Sequence, residues 1–289
     1  MKPRIVAIPA LLLLVACGQQ ATPGGTASPS PSASASTSPS ASASPSGSAQ
    51  RYEVWATVLE STSHGPQLCS MVRTSLPPQC GGPDVVGWKW SAVEHESQQG
   101  TTWGTYDLVG TWDGSRFTLT EPARLSPSGP REVPEDDFQA PDFTSPCRAA
   151  AGDRAAVDPS KAGTEHYESA LRSAEEDKEF AGGWIDTEGG GTVLVMRFTR
   201  DLAGHEREIR KTWGGALCLT TAARSGAELR TVRERVVKAV PNLLGASIDV
   251  VGNAVSIRTY VATEELRRDM DRRFGAGVVR VHGWLRPAG

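Results

Sequence analysis

Between Gly18 and Gln50 the sequence carries no charged and no aromatic residue; it is almost wholly serine, alanine, proline, threonine and glycine. Such a stretch cannot bury enough apolar surface to offset the entropy of ordering a chain, which excludes a packed core and predicts disorder. A membrane-spanning run is also missing from the N-terminus. The apolar stretch from Ile5 to Ala16 falls short of the roughly 20 residues a spanning helix needs. Histidine is scarce, at five residues, no two of them at a helical metal spacing, and HExxH is absent. No GxSxG elbow is present, and no GK[ST] follows the glycines Gly189 to Gly191. The cysteines lack the CxxC spacing of a zinc site. These gaps predict no catalytic residue, no metal ligand and no cofactor.

What is present starts with export. Two positive charges, Lys2 and Arg4, precede the apolar run, which is the layout of a secretory signal over residues 1–16. The run closes in Leu14-Val15-Ala16-Cys17, which resembles the lipobox of bacterial lipoproteins. That resemblance implies that Cys17 takes a diacylglycerol and becomes the first residue of the mature chain. Two acyl chains are enough for stable anchoring, where one is marginal. The expected location is the extracytoplasmic face of the cell membrane, held by lipid. Residues 17–50 then serve as a tether, spanning roughly 30 Å as a coil and about 100 Å stretched. The richness in Gly, Pro, Ala and Arg suits an actinobacterial source.

Four further cysteines, an even number outside the cytoplasm, predict disulfides. Cys69 and Cys80 close a short Pro-rich loop, which leaves Cys147 to pair with Cys218. Charge divides unevenly: 6 basic against 13 acidic residues from Arg51 to Pro146, and 22 against 20 from Cys147 on. Neither part is basic enough to leave a nucleic-acid footprint.

Residues 51–131 read as a small, mostly β domain. Val54, Ala56 and Val58 alternate along Tyr52 to Leu59. Val85 to Trp90, Tyr106 to Thr111 and Arg116 to Thr120 are further strands, the last two joined across Asp113-Gly114. By analogy of strand count, an OB-type barrel is the expected shape. Trp88 and Trp90, two apart on a strand, share one face there and serve either as core or as a binding platform.

In this stretch Gly65-Pro66-Gln67-Leu68-Cys69, then Leu76-Pro77-Pro78-Gln79-Cys80-Gly81-Gly82-Pro83, with Gly87-Trp88 and Asp113-Gly114, resembles uncharacterised actinobacterial secreted proteins and lipoproteins. The resemblance spans Trp55 to Pro122 and implies a fixed loop but no activity.

An acidic, Pro-rich connector over 132–160 leads to an α+β domain over 161–289. A helix is expected from Thr164 to Phe180. Trp184 to Asp186 and Val193 to Phe198 form a hairpin. Asp201 caps a helix with the stripe Leu202, Ile209 and Trp213; Ser225 and Glu228 make a capping box; Thr263 caps a last helix ended by Gly275. Ser247 to Val251 and Ala254 to Tyr260 make a second hairpin, and Val278 to Leu285 the closing strand. The expectation is one α+β sandwich of ferredoxin-like character, helices on one face of its sheet. Gly183-Trp184-Ile185-Asp186 is also similar to the pro-regions of secreted bacterial serine proteases, though no protease domain follows. His205, on an apolar stripe, is expected to pack; His95 lies between Glu94 and Glu96 in a solvated loop.

The functional expectation is a surface-tethered, non-catalytic envelope lipoprotein that binds a protein, a glycan or a small ligand. Its alternative is a hydrolase acting on envelope material through scattered acids and a histidine.

Overall fold

Alternation along Arg51–Ser61 (β1) drives the first sheet: Val54, Ala56 and Val58 are buried while Trp55 faces outward. β1 pairs antiparallel along its whole length with Thr101–Trp112 (β5), from Arg51 opposite Thr111 to Ser61 opposite Thr101. The computed structural model describes residues 49–126, 141–147, 155–188 and 191–289. The segment expected to be a signal peptide, Cys17, all but the end of the expected tether, most of the expected connector, and Gly189 and Gly190 lie outside these residues. Among the described residues no helix is long and apolar enough to cross a membrane.

β5 begins five residues before the strand expected at Tyr106, because Thr101 to Thr105 includes no aliphatic residue and shows no apolar alternation. The remaining strands of this sheet are His64–Cys69 (β2), Val85–Val86 (β3), Glu96–Gln98 (β4), Phe117–Leu119 (β6), Arg124–Leu125 (β7) and, from the far end of the chain, Arg286–Pro287 (β14). Their order is β14-β1-β5-β6-β3, with β2 on β1 and β4 and β7 on β5. The sheet is open rather than closed into an OB-type barrel. Its core gathers Val58, Leu68, Tyr106, Leu108 and Phe117, and also Leu285 from β14's approach. The disulfide Cys69–Cys80, Cα atoms 5.8 Å apart, closes the Pro-rich loop after β2. Arg73 N donates to Gln79 O across that loop at 2.8 Å.

Beyond residue 155 the chain is α+β, as expected, but apart from β14 its strands form two sheets of three, not one. The first set is helix Thr164–Glu175 (α1), Phe180–Asp186 (β8), Val193–Phe198 (β9), helix Leu202–Ile209 (α2) and Ala216–Thr221 (β10). The second is helix Gly226–Ala239 (α3), Leu243–Asp249 (β11), Ala254–Thr259 (β12), helix Glu264–Phe274 (α4) and Val279–Gly283 (β13). Each follows the order α-β-β-α-β, with an antiparallel hairpin and a third strand parallel to the middle one. The ferredoxin-like order within a single sheet is therefore replaced by a repeated three-stranded unit.

The repetition reaches single residues. Phe180, Gly182, Ile185 and Asp186 on β8 correspond to Leu243, Gly245, Ile248 and Asp249 on β11, and Arg197 on β9 to Arg258 on β12. In both hairpins the register slips beside the glycine, between Phe180 and Gly182 and between Leu243 and Gly245. In both, the glycine faces the arginine across the strands.

The caps follow local chemistry. The side chain of Asp201 accepts from Gly204 N, Thr263 from Leu266 N, and Ser225 and Glu228 complete their reciprocal box. α1 stops at Glu175, short of the expected Phe180, which opens β8 instead. In the first repeat, α1 and α2 cover one face with Ala170, Ala174 and Ile209 on Leu194, Met196 and Phe198. In the second, α3 and α4 set Leu229, Val236 and Met270 on Val255, Ile257 and Val281. Cys147 and Cys218 are joined, Cα atoms 5.8 Å apart, which ties the segment 141–147 to β10.

Candidate functional site

A cleft of about 350 Å³ lies beside the first sheet, between Gly87–Val93 and Leu119–Ala123. It exists because β3 is short. Gly87 takes φ +86°, a conformation glycine adopts without penalty, and turns the chain off the strand. Val85 to Trp90 is thus not one strand: it ends at Val86, and Trp90 opens a short 3-10 turn.

Trp88 falls back on Tyr106, ring centroids 4.9 Å apart at 63°. Trp90 meets Trp88 edge to face, at 5.1 Å and 76°, so the two rings are not a flat platform. Both are partly buried against the first core. Trp90 Nε1 donates to Glu60 Oε2 at 2.6 Å, which fixes its ring. Trp88 Nε1 is buried without a partner. Tyr106 hydroxyl donates to Glu94 O at 2.6 Å, and burial pushes its pKa up to about 12. The other wall is held from below: Thr120 N donates to Val109 O at 3.0 Å, and Arg51 Nη1 reaches Glu121 Oε1 at 2.8 Å.

The result is a cleft with Trp88, Val93, Leu119 and Pro122 as apolar lining and Lys89, Thr120 and Glu121 as polar groups. Apolar surface with a few placed polar groups is what small-ligand sites are made of. Of the residues singled out in the sequence, Trp88 lines it and Trp90 braces Trp88. His95 stacks edge-on against Trp90 at 5.3 Å, with its Nδ1 3.0 Å from Val93 O. His64 points to its neighbour, Nδ1 2.8 Å from Gly65 O.

A second cluster escaped the sequence. Asp177, Glu179 and His205 come together where α1 turns into β8 and meets α2. His205 stacks flat on Phe198, at 3.9 Å and 10°, the packed role its apolar stripe predicted. Its Nδ1 lies 3.5 Å from Asp177 Oδ2 and its Nε2 3.2 Å from Glu179 Oε2. Arg200 sits on Glu179 at 2.6 Å, and that bond above all holds the Glu179 carboxyl below its usual range. One ligand atom from each of the three residues lies within 4.8 Å of the others. Yet the carboxylates lie against opposite nitrogens of the ring and Arg200 claims Glu179, so the cluster reads as a polar network pinning α2. The sequence signal was Asp177-x-Glu179 ahead of a strand, too common to single out.

Compared with known protein families and with curated proteins, the chain matches none.

Proposed function

We propose that the protein is a lipid-anchored, non-catalytic component of an actinobacterial cell envelope that captures a small ligand or a sugar ring on the extracytoplasmic side. The observation that supports this most is the Trp88 cleft. Its volume of about 350 Å³ stands at the small end of the roughly 300–1,000 Å³ typical of ligand pockets. Side-chain bonds of Trp90 to Glu60 and of Arg51 to Glu121 brace its two sides, which lowers the ordering entropy that binding would cost. The two disulfides belong to an oxidising compartment, which agrees with export. The lipobox ending in Cys17 and the uncharged tether supply the anchor.

Two measurements test the two halves of this reading. Titrating soluble fragments of envelope glycan should change tryptophan fluorescence saturably, and Thr120→Trp, which fills the cleft from its exposed rim, should abolish the change. An unaltered affinity in Thr120→Trp would remove the cleft from the proposal. For the anchor, Cys17→Ser should move the protein from membranes to the soluble fraction; retention as firm as the parent's ends that half.

A further inference from the structure

The two repeats differ in what lies on the sheet face away from their helices. On the first, the turn between β11 and β12 is seated: Val250 and Val251 pack with Trp184, Val195 and Cys218. Two residues make the seat. Gly182, at φ +134°, leaves the space, and a Cβ there would come within 2.8 Å of Val250 Cγ1. Arg197, its partner across the strands, donates from Nη1 to Val250 O at 3.2 Å and to Val251 O at 2.6 Å. A guanidinium has five donors in a fixed fork and suits adjacent carbonyls.

The second repeat carries the same pair in the same register, without the positive φ of Gly182 and with nothing seated on it. Gly245 lies opposite Arg258 beside the same slip in pairing. A Cβ on Gly245 would have no heavy atom within 4 Å. Arg258 is exposed, and among the described residues no hydrogen bond or ion pair engages its side chain. Around the pair the chemistry changes. Where the first seat has Trp184, Val195 and Cys218, the register places Ser247, Ser256 and Arg280.

We propose that Gly245 and Arg258 form a second turn-binding seat, which takes the β-hairpin turn of a partner protein. The occupant presents a small aliphatic residue over Gly245 and two successive carbonyls to Arg258. Its flanks are polar, to match Ser247 and Ser256; Arg280 beside them is already paired with Asp249 at 2.6 Å. A second copy of the chain does not supply the known occupant, because its own Val250 and Val251 are packed on its own first repeat.

The test uses the known occupant as probe. A cyclised peptide of Ser247 to Ser256 is titrated into the full chain while backbone amides are followed by NMR. Saturable shifts are expected at Gly245 and Ser256–Arg258. Arg258→Ala should weaken binding about tenfold, the order expected for lost hydrogen bonds to a charged donor. Gly245→Val should abolish it, while both variants keep the parent's melting temperature, since neither side chain site is packed. The absence of saturable shifts at millimolar peptide would overturn the proposal. So would shifts confined to the first repeat, or the parent's affinity retained in both variants.

Discussion

Asp113 shows how one side chain can set a turn. Its Oδ1 accepts from Ser115 N at 2.8 Å and Arg116 N at 2.7 Å, closing the hairpin between β5 and β6. These backbone bonds, Ser115 first, pull its pKa down to about 2. A carboxyl depressed on folding adds stability that is present above its unfolded value near 3.9 and fades as pH falls through the folded one. The hairpin should therefore loosen between about pH 4 and pH 2. An NMR titration should find the Asp113 midpoint near 2; a midpoint at the ordinary aspartate value would show the bonds are not held in solution. Gly182 and Gly245 make a second contrast at this scale. Gly182→Ala places a methyl against Val250 at a torsion alanine resists, and should cost about 1–3 kcal/mol by overpacking and strain. Gly245→Ala meets open space and should stay within about 0.5 kcal/mol of the parent, as surface changes do. Denaturant midpoints of the two variants check the pair; equal losses would contradict the structural difference between the seats.

Among the elements, those fixed by neighbours in sequence were legible. Asp201, Thr263 and the Ser225–Glu228 box marked helix starts because a cap is satisfied within one turn. Ser225→Ala should cost about 1 kcal/mol, up to about 2, read from thermal or urea unfolding. No loss at all would mean that the helix start is held by packing alone. The Cys69–Cys80 and Cys147–Cys218 pairs followed from parity and one short loop. By loop-closure entropy the second, closing 71 residues against 11, should matter more on removal, about 4 against about 3 kcal/mol. Replacing each pair by serine and comparing stabilities decides the order. What sequence hid was pairing at a distance. The repeat rests on Gly182 and Gly245, Asp186 and Asp249, Arg197 and Arg258, spaced across turns of different length, so periodicity within either half does not reveal it. Val85 to Trp90 reads as one strand because nothing in the local pattern shows that Gly87 turns out of the sheet, and the Trp88 cleft arises from that early exit.

Across the whole molecule the two parts are knit by the last residues. Tyr260 stacks on Trp112 at 4.7 Å and 19°, Leu285 is 2 % exposed in the first core, and β14 hydrogen-bonds to β1 through Tyr52 and Glu53. The residues expected to be a self-contained β domain thus borrow a strand and a core side chain from the C-terminus. Leu285→Ala should destabilise the first sheet by about 2–4 kcal/mol, as buried leucine truncations do. A fragment of residues 49–126 should show no cooperative thermal transition; a sharp one would mean that β14 and Leu285 are ornamental to that core. The placement of β14 also bears on how the protein comes into being. Strand β1 is the first of the described strands, and its edge partner β14 lies more than 200 residues later in the chain. That edge of the sheet therefore stays unfinished in the nascent polypeptide until Arg286 and Pro287 have been made and have left the ribosome.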